Sequence, residues 1–416
     1  MATATNGSSV IKPDHAAGRK HFIFSQEHED LRESMQSWVQ KELWPHRNEW
    51  EDTYWPTSAM QRAGELGFLG LCFPEEYGGQ GGDYFYSLVR AECMSYSGSG
   101  GTNMGFAVQT DMVLPPIHLL GTEEQKEKYL KPGLKGEKVG SLGITEPGAG
   151  SDVAGIRTTA LLDGDEYIIN GSKTFITNGP RADFIVLVCK TDPDERHAGI
   201  TLFVVDLRDE NGETVPGFTV SAELEKMGMH ASDTGELAFE DVRVPASAVL
   251  GEVGKGFYHI AWELQGERLV AAAGCHAGAE RMIEKTIEYA KEREAFGRPI
   301  GKFQGMRWKL ATMYHDIEAG RGLLYRACAT ADPFPDPLLA ATAKVYCNEM
   351  SVRVTSDALQ VFGGYGFTDE YLVSRLYRGA RYGSLGGGTS ETLRDLIGKR
   401  LMEADAPDGI FGLSDF

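Results

Sequence analysis

The sequence is short of positive charge, and this shortage excludes several classes of protein. Its 416 residues carry 41 Lys and Arg against 60 Asp and Glu, which gives a formal net charge of −19 at pH 7. Binding to nucleic acid or to an anionic membrane surface depends on clustered positive charge, so neither activity fits this composition. The apolar share of 42%, with 10% aromatic residues, is enough for several buried cores. Length and composition together indicate a globular chain of roughly two to four domains.

Long apolar runs and paired cysteines are also missing. No run approaches the roughly 18 apolar residues that a membrane-spanning helix needs. Residues 1–20 are small and polar and lack the apolar stretch of a secretory signal, so we expect a disordered tail there. The six cysteines are far apart and form no CxxC pair, a pattern typical of reduced thiols. The sequence therefore predicts a soluble, multidomain, cytoplasmic protein.

The common nucleotide and metal motifs are absent as well. No GxGxxG follows a predicted strand, and no GxxxxGK[ST] occurs, which argues against Rossmann and P-loop sites. There is no HExxH and no cysteine cluster, so no metal site is predicted. The glycine-rich segments of this chain therefore do not belong to a Rossmann or P-loop nucleotide site, and they require another explanation.

The hydrophobic period divides the chain into helical, β and helical regions. In the first, Ser25 is a candidate N-cap, and Thr122 to Gln125 form a capping box for a helix that should end before Pro132. In the second, short β-branched runs alternate with Gly and Pro, and Asn170-Gly171 is a hairpin signal. No helix of ordinary length fits between these runs, so we expect an antiparallel, all-β region. The long helices of the third region are predicted over 256–292, 303–330 and 338–362.

Five glycine-containing segments carry the remaining information. Each one alone is most simply explained as a loop, a turn or a helix end. The segments are Gly143-Ile-Thr-Glu-Pro-Gly-Ala-Gly-Ser-Asp152, Phe175-Ile-Thr-Asn-Gly179, Arg293-Glu-Ala-Phe-Gly-Arg-Pro-Ile-Gly-Lys-Phe-Gln304, Gln360-Val-Phe-Gly-Gly364 and Gly386-Gly-Gly-Thr-Ser-Glu391.

In this order and at these separations, the five segments resemble those of the acyl-CoA dehydrogenases. The resemblance runs from about residue 20 to about residue 402 and is closest to the long-chain and isovaleryl-CoA dehydrogenase branch. It implies an α+β multidomain fold with an N-terminal α-helical domain (21–140), a central antiparallel β-barrel-like domain (141–254) and a C-terminal four-helix bundle (255–416). It also implies a homotetrameric FAD flavoprotein that oxidises an acyl-CoA, as in fatty acid β-oxidation, and passes electrons to an electron-transfer flavoprotein.

Such a reaction needs a carboxylate in an apolar pocket, because the α-proton of a thioester is only weakly acidic. In many members of the family this base precedes the Gly-Thr-Ser turn, where the present chain has Gly387. Glu267 falls within about 20° of Ile260 on the apolar stripe of the first long C-terminal helix. The helix pattern alone explains Glu267 equally well by a salt bridge with Arg268. The long-chain and isovaleryl branches carry their base at this helical position, so the resemblance favours Glu267, with Gly387 clearing space and offering its backbone N–H to the thioester carbonyl.

Glu263 is a possible decoy on the same helix. It points about 60° away from the apolar stripe, so we expect it nearer to solvent.

The resemblance also assigns binding residues. Thr177 corresponds to a residue near flavin N5, and Arg293 to one that reaches the FAD of a neighbouring subunit. The cofactor-binding residues implied in this way are Leu142, Ile144, Thr145, Gly150, Ser151, Phe175, Ile176, Thr177, Arg293, Phe296, Gln304, Gln360, Val361, Gly363, Gly364, Thr389 and Glu391. The substrate-binding residues are Ser151, Gln265, Arg268, Gly387 and Gly388.

Several alternatives stay open at this point. The thioester carrier is CoA or a carrier protein, and the acyl group is a straight chain or a branched, isovaleryl or terpenoid one. Oxidases of this superfamily are much longer chains, which disfavours oxygen as the acceptor. A non-catalytic subunit of a hetero-oligomeric dehydrogenase is a further reading. Small residues around Gly100 to Phe106 would permit a deep acyl cavity.

Overall fold

The structure is a computed structural model that describes residues 21–331 and 334–403. The expected tail, residues 1–20, lies outside the described residues. The first region is helical, and the Ser25 side chain accepts a hydrogen bond from the His28 backbone in a capping box at the start of the first helix. Its helices are α1 (Gln26–Trp38), α2 (Glu49–Thr53), α3 (Thr57–Glu65), α4 (Tyr84–Met94), α5 (Gly100–Ala107), α6 (Leu114–Leu120), α7 (Glu123–Gln125) and α8 (Lys131–Leu134).

π-helical turns extend three of these helices. They cover Val39–Leu43, Val108–Val113 and Lys126–Leu130. The third joins α7 to α8, so the helix that begins at the predicted Thr122 capping box continues to Leu134. The prediction that it ends before Pro132 was therefore wrong. Pro132 stands in the first turn of α8, where the change from π to α hydrogen bonding accommodates its missing N–H.

The middle region forms one eight-stranded sheet in the order β6-β7-β3-β2-β4-β5-β8, with β1 beside β4. The sheet is open at β6 and β8 in the part of the chain that the structure describes. The strands are β1 (Gly140–Gly143), β2 (Thr159–Asp163), β3 (Glu166–Thr177), β4 (Phe184–Lys190), β5 (Ile200–Asp206), β6 (Phe218–Glu223), β7 (Thr234–Pro245) and β8 (Val249–Leu250).

Two details of this sheet differ from the sequence prediction. β1 runs parallel to β4, with Gly140 opposite Phe184, so the region is not wholly antiparallel. A hydrophobic run predicts a strand but carries no information about the direction of its partner. β1 enters the sheet directly from the helical region rather than from a hairpin, and its direction follows from that entry.

The second difference is that Asn170-Gly171 is not a hairpin turn. Both residues lie inside β3, at a bulge where the register with β7 shifts. Gly171 has φ +149°, and a Cβ there would meet Thr158 at 2.6 Å. The Asn170 amide instead exchanges two hydrogen bonds with Asp241 on β7, at 3.0 and 2.9 Å. The dipeptide therefore bends a strand, because glycine suits a bulge as well as a turn.

The third region is a bundle of long helices whose predicted positions are confirmed to within about a residue or two. The N-terminal helices lie against the first half of its first helix, where the Tyr84 hydroxyl donates to the Gly266 carbonyl at 3.2 Å. None of the described helices is long and apolar enough to cross a membrane. The helices are α9 (Gly256–Glu292), α10 (Gln304–Ala329), α11 (Pro337–Phe362), α12 (Leu372–Ala380) and α13 (Ser390–Glu403), with a short hairpin of β9 (Glu294–Ala295) and β10 (Arg298–Pro299) between α9 and α10.

Candidate active site

A cleft that is partly open to solvent lies between the N-terminal helices, α9 and the turn that precedes α13. The predicted segment around Gly100 and Phe106 contributes to its lining. Much of the remaining lining is apolar or lacks a side chain, which suits a hydrocarbon chain. These residues include Met94, Met104, Met112, Val270, Gly274 and Gly278.

Glu267 opens onto this cleft from α9. It is half-buried, whereas Ile260, two turns earlier, is 1% exposed in the core. Burial raises the pKa of Glu267, and the positive charges of Arg268 and Lys344 partly offset that rise. The arrangement leaves an accessible carboxylate with increased proton affinity in a largely apolar cavity.

The turn before α13 brings Gly387 against this carboxylate. A Cβ on Gly387 would lie 3.1 Å from Glu267 Oε1, and the residue has φ +65°. Both the contact and the left-handed backbone favour glycine here. The structure therefore brings together the two residues that the sequence paired, and Gly387 leaves room for Glu267.

The predicted substrate residues Gln265, Arg268 and Gly388 lie beside this pair. Arg268 is 6% exposed and donates from Nη1 to Gln265 Oε1 at 2.9 Å. Its Nη2 is 4.0 Å from the position that a Gly388 Cβ would take. Among the described residues, Arg268 Nε has no hydrogen-bond partner. The guanidinium therefore holds unused donor capacity close to the glycine turn.

Glu263 is not near solvent, so that prediction was wrong. It is 3% exposed, and neither carboxylate oxygen has a hydrogen-bond partner in the described chain. Burial, and secondarily the negative charge of Glu267, raises the pKa of Glu263 well above its usual value. The apolar stripe was a poor guide because the N-terminal helices cover a second face of α9, which the sequence of α9 alone does not reveal.

The predicted cofactor segments at 142–151 and 175–177 are bound to each other. The Thr174 backbone N–H donates to the Thr145 carbonyl at 2.9 Å. Lys173, which is fully buried, donates from Nζ to the Ile144 carbonyl at 3.1 Å and to Glu146 Oε1 at 2.8 Å. The sequence analysis missed Lys173, although a lysine among the strand residues that precede Phe175 is a recognisable signal.

Phe175 is the residue of these segments best suited to contact a flat ring. It is 68% exposed, has φ +61° and lies at a bulge between β3 and β7. An exposed aromatic side chain on strained backbone is a common feature of functional surfaces. Gly148 and Gly150 of the neighbouring loop have open space beside them. The residues present therefore fit a flat aromatic cofactor.

The other members of the two segments differ in exposure. Ile176 is 2% exposed and packs into the β core, and its carbonyl accepts a hydrogen bond from the Gly179 backbone N–H at 3.2 Å. Its side chain is therefore not available to a ligand. Leu142 and Ile144 pack on the core between the helical and β regions. Ser151 is exposed, and Thr145 and Thr177 are half-buried.

The remaining predicted cofactor residues form two groups. The Arg293 guanidinium lies 5.7 Å from the Tyr365 ring, which places the α9–α10 link beside the turn that holds Gly363 and Gly364. Phe296 is 95% exposed with φ +52°. It follows the end of α9, which lies about 38 Å from Glu267 at 1.5 Å per residue. The second group stands at the start of α13, where the Thr389 hydroxyl accepts from the Thr392 backbone N–H at 3.2 Å. Glu391 is exposed there. Gln304 begins α10, and Gln360 and Val361 lie in the last turn of α11, which precedes Gly363.

A second missed residue stands behind the glycine turn. Lys344 on α11 is fully buried, and its Nζ donates to the Gly388 carbonyl at 2.6 Å. Its flanking sequence, Ala340-Ala-Thr-Ala-Lys-Val345, is apolar enough to have marked it as a buried lysine.

Comparison with known proteins gives a consistent result. The chain matches the acyl-CoA dehydrogenase N-terminal domain over residues 25–137, the middle domain over 141–242 and the C-terminal domain over 254–402. It is 39% identical to the mitochondrial long-chain specific acyl-CoA dehydrogenase of Mus musculus, over 91% of this chain and 87% of that protein. It is 37% identical to a short-chain specific acyl-CoA dehydrogenase of Clostridium acetobutylicum, over 92% of this chain and 99% of that protein.

A solved structure agrees with these relatives. The crystal structure of acyl-CoA dehydrogenase from Geobacillus kaustophilus superposes with a TM-score of 0.87 at 42% identity, over 91% of this chain and 99% of that one. The middle sheet between two helical regions and the matches to all three domains lead to one assignment. The chain belongs to the acyl-CoA dehydrogenase family and is an FAD-dependent oxidoreductase.

Proposed function

We propose that this protein oxidises the α,β bond of a medium-to-long or branched acyl-CoA to the trans-2-enoyl-CoA, with Glu267 as the base for the α-proton. The observation that carries the proposal is the position of Glu267 Oε1 in the cleft, 3.1 Å from where a Gly387 side chain would begin. This is the point at which a thioester could lie between a carboxylate and the backbone of a glycine turn.

Each residue of the site has a defined task in this proposal. Glu267 removes the α-proton, and its raised pKa brings its proton affinity closer to that of its substrate. The backbone N–H of Gly387 donates to the thioester carbonyl, where negative charge develops. Arg268 lies beside that carbonyl with unused donor capacity. FAD, when bound, supplies the acceptor for the β-hydrogen as a hydride.

The FAD contacts are assigned to the segments described above. Phe175 and Thr177 would contact the isoalloxazine from one strand, and Thr145 and Ser151 from the facing loop, with Ser151 also near the CoA portion. The same FAD-binding surface would include four further residues of these segments: Leu142, Ile144, Gly150 and Ile176. A second group of residues would bind the FAD of a neighbouring subunit: Arg293, Phe296, Gln304, Gln360, Val361, Gly363 and Gly364. Thr389 and Glu391 would close over the cofactor.

The division of the cofactor contacts between two distant groups supports the proposal of a homotetramer. The Phe296 group stands beyond the far end of α9, which lies about 38 Å from Glu267 along the helix. Phe296, Trp308 and Phe367 are 95%, 65% and 86% exposed in the single chain, which is unusual for large aromatic residues. An electron-transfer flavoprotein is the proposed acceptor. The six cysteines are far apart in the sequence and form no CxxC pair, which fits a cytoplasmic location.

An anaerobic titration of the purified flavoprotein with acyl-CoAs of increasing chain length tests the activity. Bleaching of the flavin band by a CoA thioester supports the proposal, and the chain length that bleaches at the lowest concentration defines the substrate. Bleaching only by a carrier-protein thioester would identify a different carrier. A chain that binds no flavin would identify a non-catalytic subunit.

The base assignment is tested by Glu267→Gln with Glu263→Gln as the matched control on the same helix. Glu267→Gln should retain flavin and slow flavin reduction by about 10²–10⁴-fold, the usual contribution of a catalytic base. Glu263→Gln should reduce flavin at close to the wild-type rate. A fully active Glu267→Gln variant would refute the assignment.

A further inference from the structure

The mechanism described so far leaves Lys344 unused. It lies on α11 outside the cleft, is 0% exposed, and donates from Nζ to the Gly388 carbonyl at 2.6 Å. A fully buried ammonium group is costly, and a single carbonyl satisfies only one of its three donors. Lysine is almost never fully buried unless it is paired, so the burial of Lys344 needs an explanation.

The carbonyl that Lys344 binds belongs to the glycine turn of the site. Gly387 and Gly388 have φ +65° and +91°, and they have no side chains with which to anchor themselves. α13 begins two residues after Gly388 and packs on α11 through Leu393, Ala341 and Val345. Lys344 therefore connects a rigid helix pair to the backbone that would receive the thioester carbonyl.

Lys344 also acts electrostatically on the base. Its positive charge lowers the pKa of Glu267 against the effect of burial, together with Arg268. Burial in turn lowers the pKa of Lys344 to about 8. The charged and titratable groups that act on Lys344 are Cys275, Glu267 and Arg268 of α9 and Glu349 of α11. Cys275 does not compete for the ammonium group at neutral pH, because burial raises its pKa to about 11.

We propose that Lys344 is a positioning residue of the reaction: it holds the Gly387–Gly388 turn through the Gly388 carbonyl and supplies a positive charge that favours the ionised form of Glu267. The proposal rests on Glu267 being the base. Removal of the α-proton neutralises Glu267 while negative charge appears on the thioester oxygen at the glycine turn. A fixed cation that is bonded to the glycine turn and acts electrostatically on Glu267 stabilises the negative charge before and after its transfer.

Rapid anaerobic flavin reduction by an acyl-CoA, measured across pH, tests this in Lys344→Met. We expect the limiting rate near neutral pH to fall by about tenfold. The midpoint of the acidic limb should move up by about one pH unit, because Glu267 loses a cation that favours its ionised form. Lys285→Met, at an exposed ion pair with Glu288 on α9, is the matched control and should behave as the wild type.

A purely structural lysine would not move the acidic midpoint. An unchanged rate and midpoint in a flavin-bound Lys344→Met variant would therefore overturn the proposal. If that variant loses flavin, Lys344→Gln is measured instead. Glutamine keeps a donor for the Gly388 carbonyl but carries no charge, so this variant should show the shift of the acidic midpoint without the loss of rate. If neither variant holds flavin, Lys344 is needed for the fold and the proposal fails. Parallel data on Glu267→Gln separate the failure of the base assignment from the failure of the Lys344 proposal. A fully active Glu267→Gln variant would refute the assignment of Glu267 as the base, whatever the result for Lys344.

Discussion

Glu263 and Glu267 lie one turn apart on α9, yet only one of them opens onto the cleft. Glu267 is half-buried beside Gly387, whereas Glu263 is 3% exposed beneath the N-terminal helices, within the field of Asp111. Burial raises the pKa of both carboxyls. A raised pKa therefore does not identify the base on its own. The decisive difference is that only Glu267 has a path to a substrate.

The largest effect is expected from shortening the two carboxylates separately. Glu267→Asp withdraws the carboxylate from the glycine turn by about one methylene, and such a displacement costs about 10²-fold in rate. Glu263→Asp should change the rate of flavin reduction by less than about threefold. Stopped-flow reduction by the same acyl-CoA measures both, and comparable losses in the two variants would break the distinction between them.

A smaller loss is expected when the space beside Glu267 is filled. In Gly387→Ala the new Cβ would lie 3.1 Å from Glu267 Oε1, on backbone with φ +65° that disfavours any side chain. We expect a loss of about tenfold in the rate of flavin reduction, with a free-energy cost to folding of about 1 kcal/mol. Gly322→Ala, on the exposed face of α10 and outside the cleft, is the control, since nothing lies within 4 Å of its Cβ position. Equal rates for the two variants would show that Gly387 does not make room for the base.

The smallest effect on rate, with a clear effect on stability, is expected from Glu263→Gln. The pKa of Glu263 is raised in the folded state, so its favourable contribution is complete below about pH 4.5 and is lost as the pH rises toward the folded pKa. Glutamine does not titrate. The variant should therefore gain stability over the wild type by about 1.4 kcal/mol per pH unit within that window.

Thermal unfolding between about pH 5 and pH 8 measures this difference. Glu288→Gln, an exposed carboxyl on the same helix, provides the control and should show no pH-dependent gain. A constant difference between Glu263→Gln and the wild type would mean that Glu263 is ionised in the folded protein throughout this range.

The long C-terminal helices were predictable because their apolar period extends over many turns. The helices predicted over 256–292, 303–330 and 338–362 are found at Gly256–Glu292, Gln304–Ala329 and Pro337–Phe362. The capping boxes at Ser25 and Thr122 were equally legible, since each depends on residues within one turn. Two features were not predictable from the sequence. The proline at 132 is also typical of a helix end, and Asn170-Gly171 is also typical of a hairpin turn, whereas the structure has a continuing helix and a β-bulge.

By itself, the sequence determined the order of helical, β and helical regions and the glycine segments, because each is recorded in local residue types and spacings. The pairing of Glu267 with Gly387 was predicted from the family resemblance, since the helix pattern alone left a salt bridge equally good. The tertiary structure alone decided the partner of β1, the burial of Glu263 and the contact of Lys344 with the glycine turn. These features arise where segments distant in the chain meet. A helix presents several faces, and only the elements packed against it determine which of them lose their water.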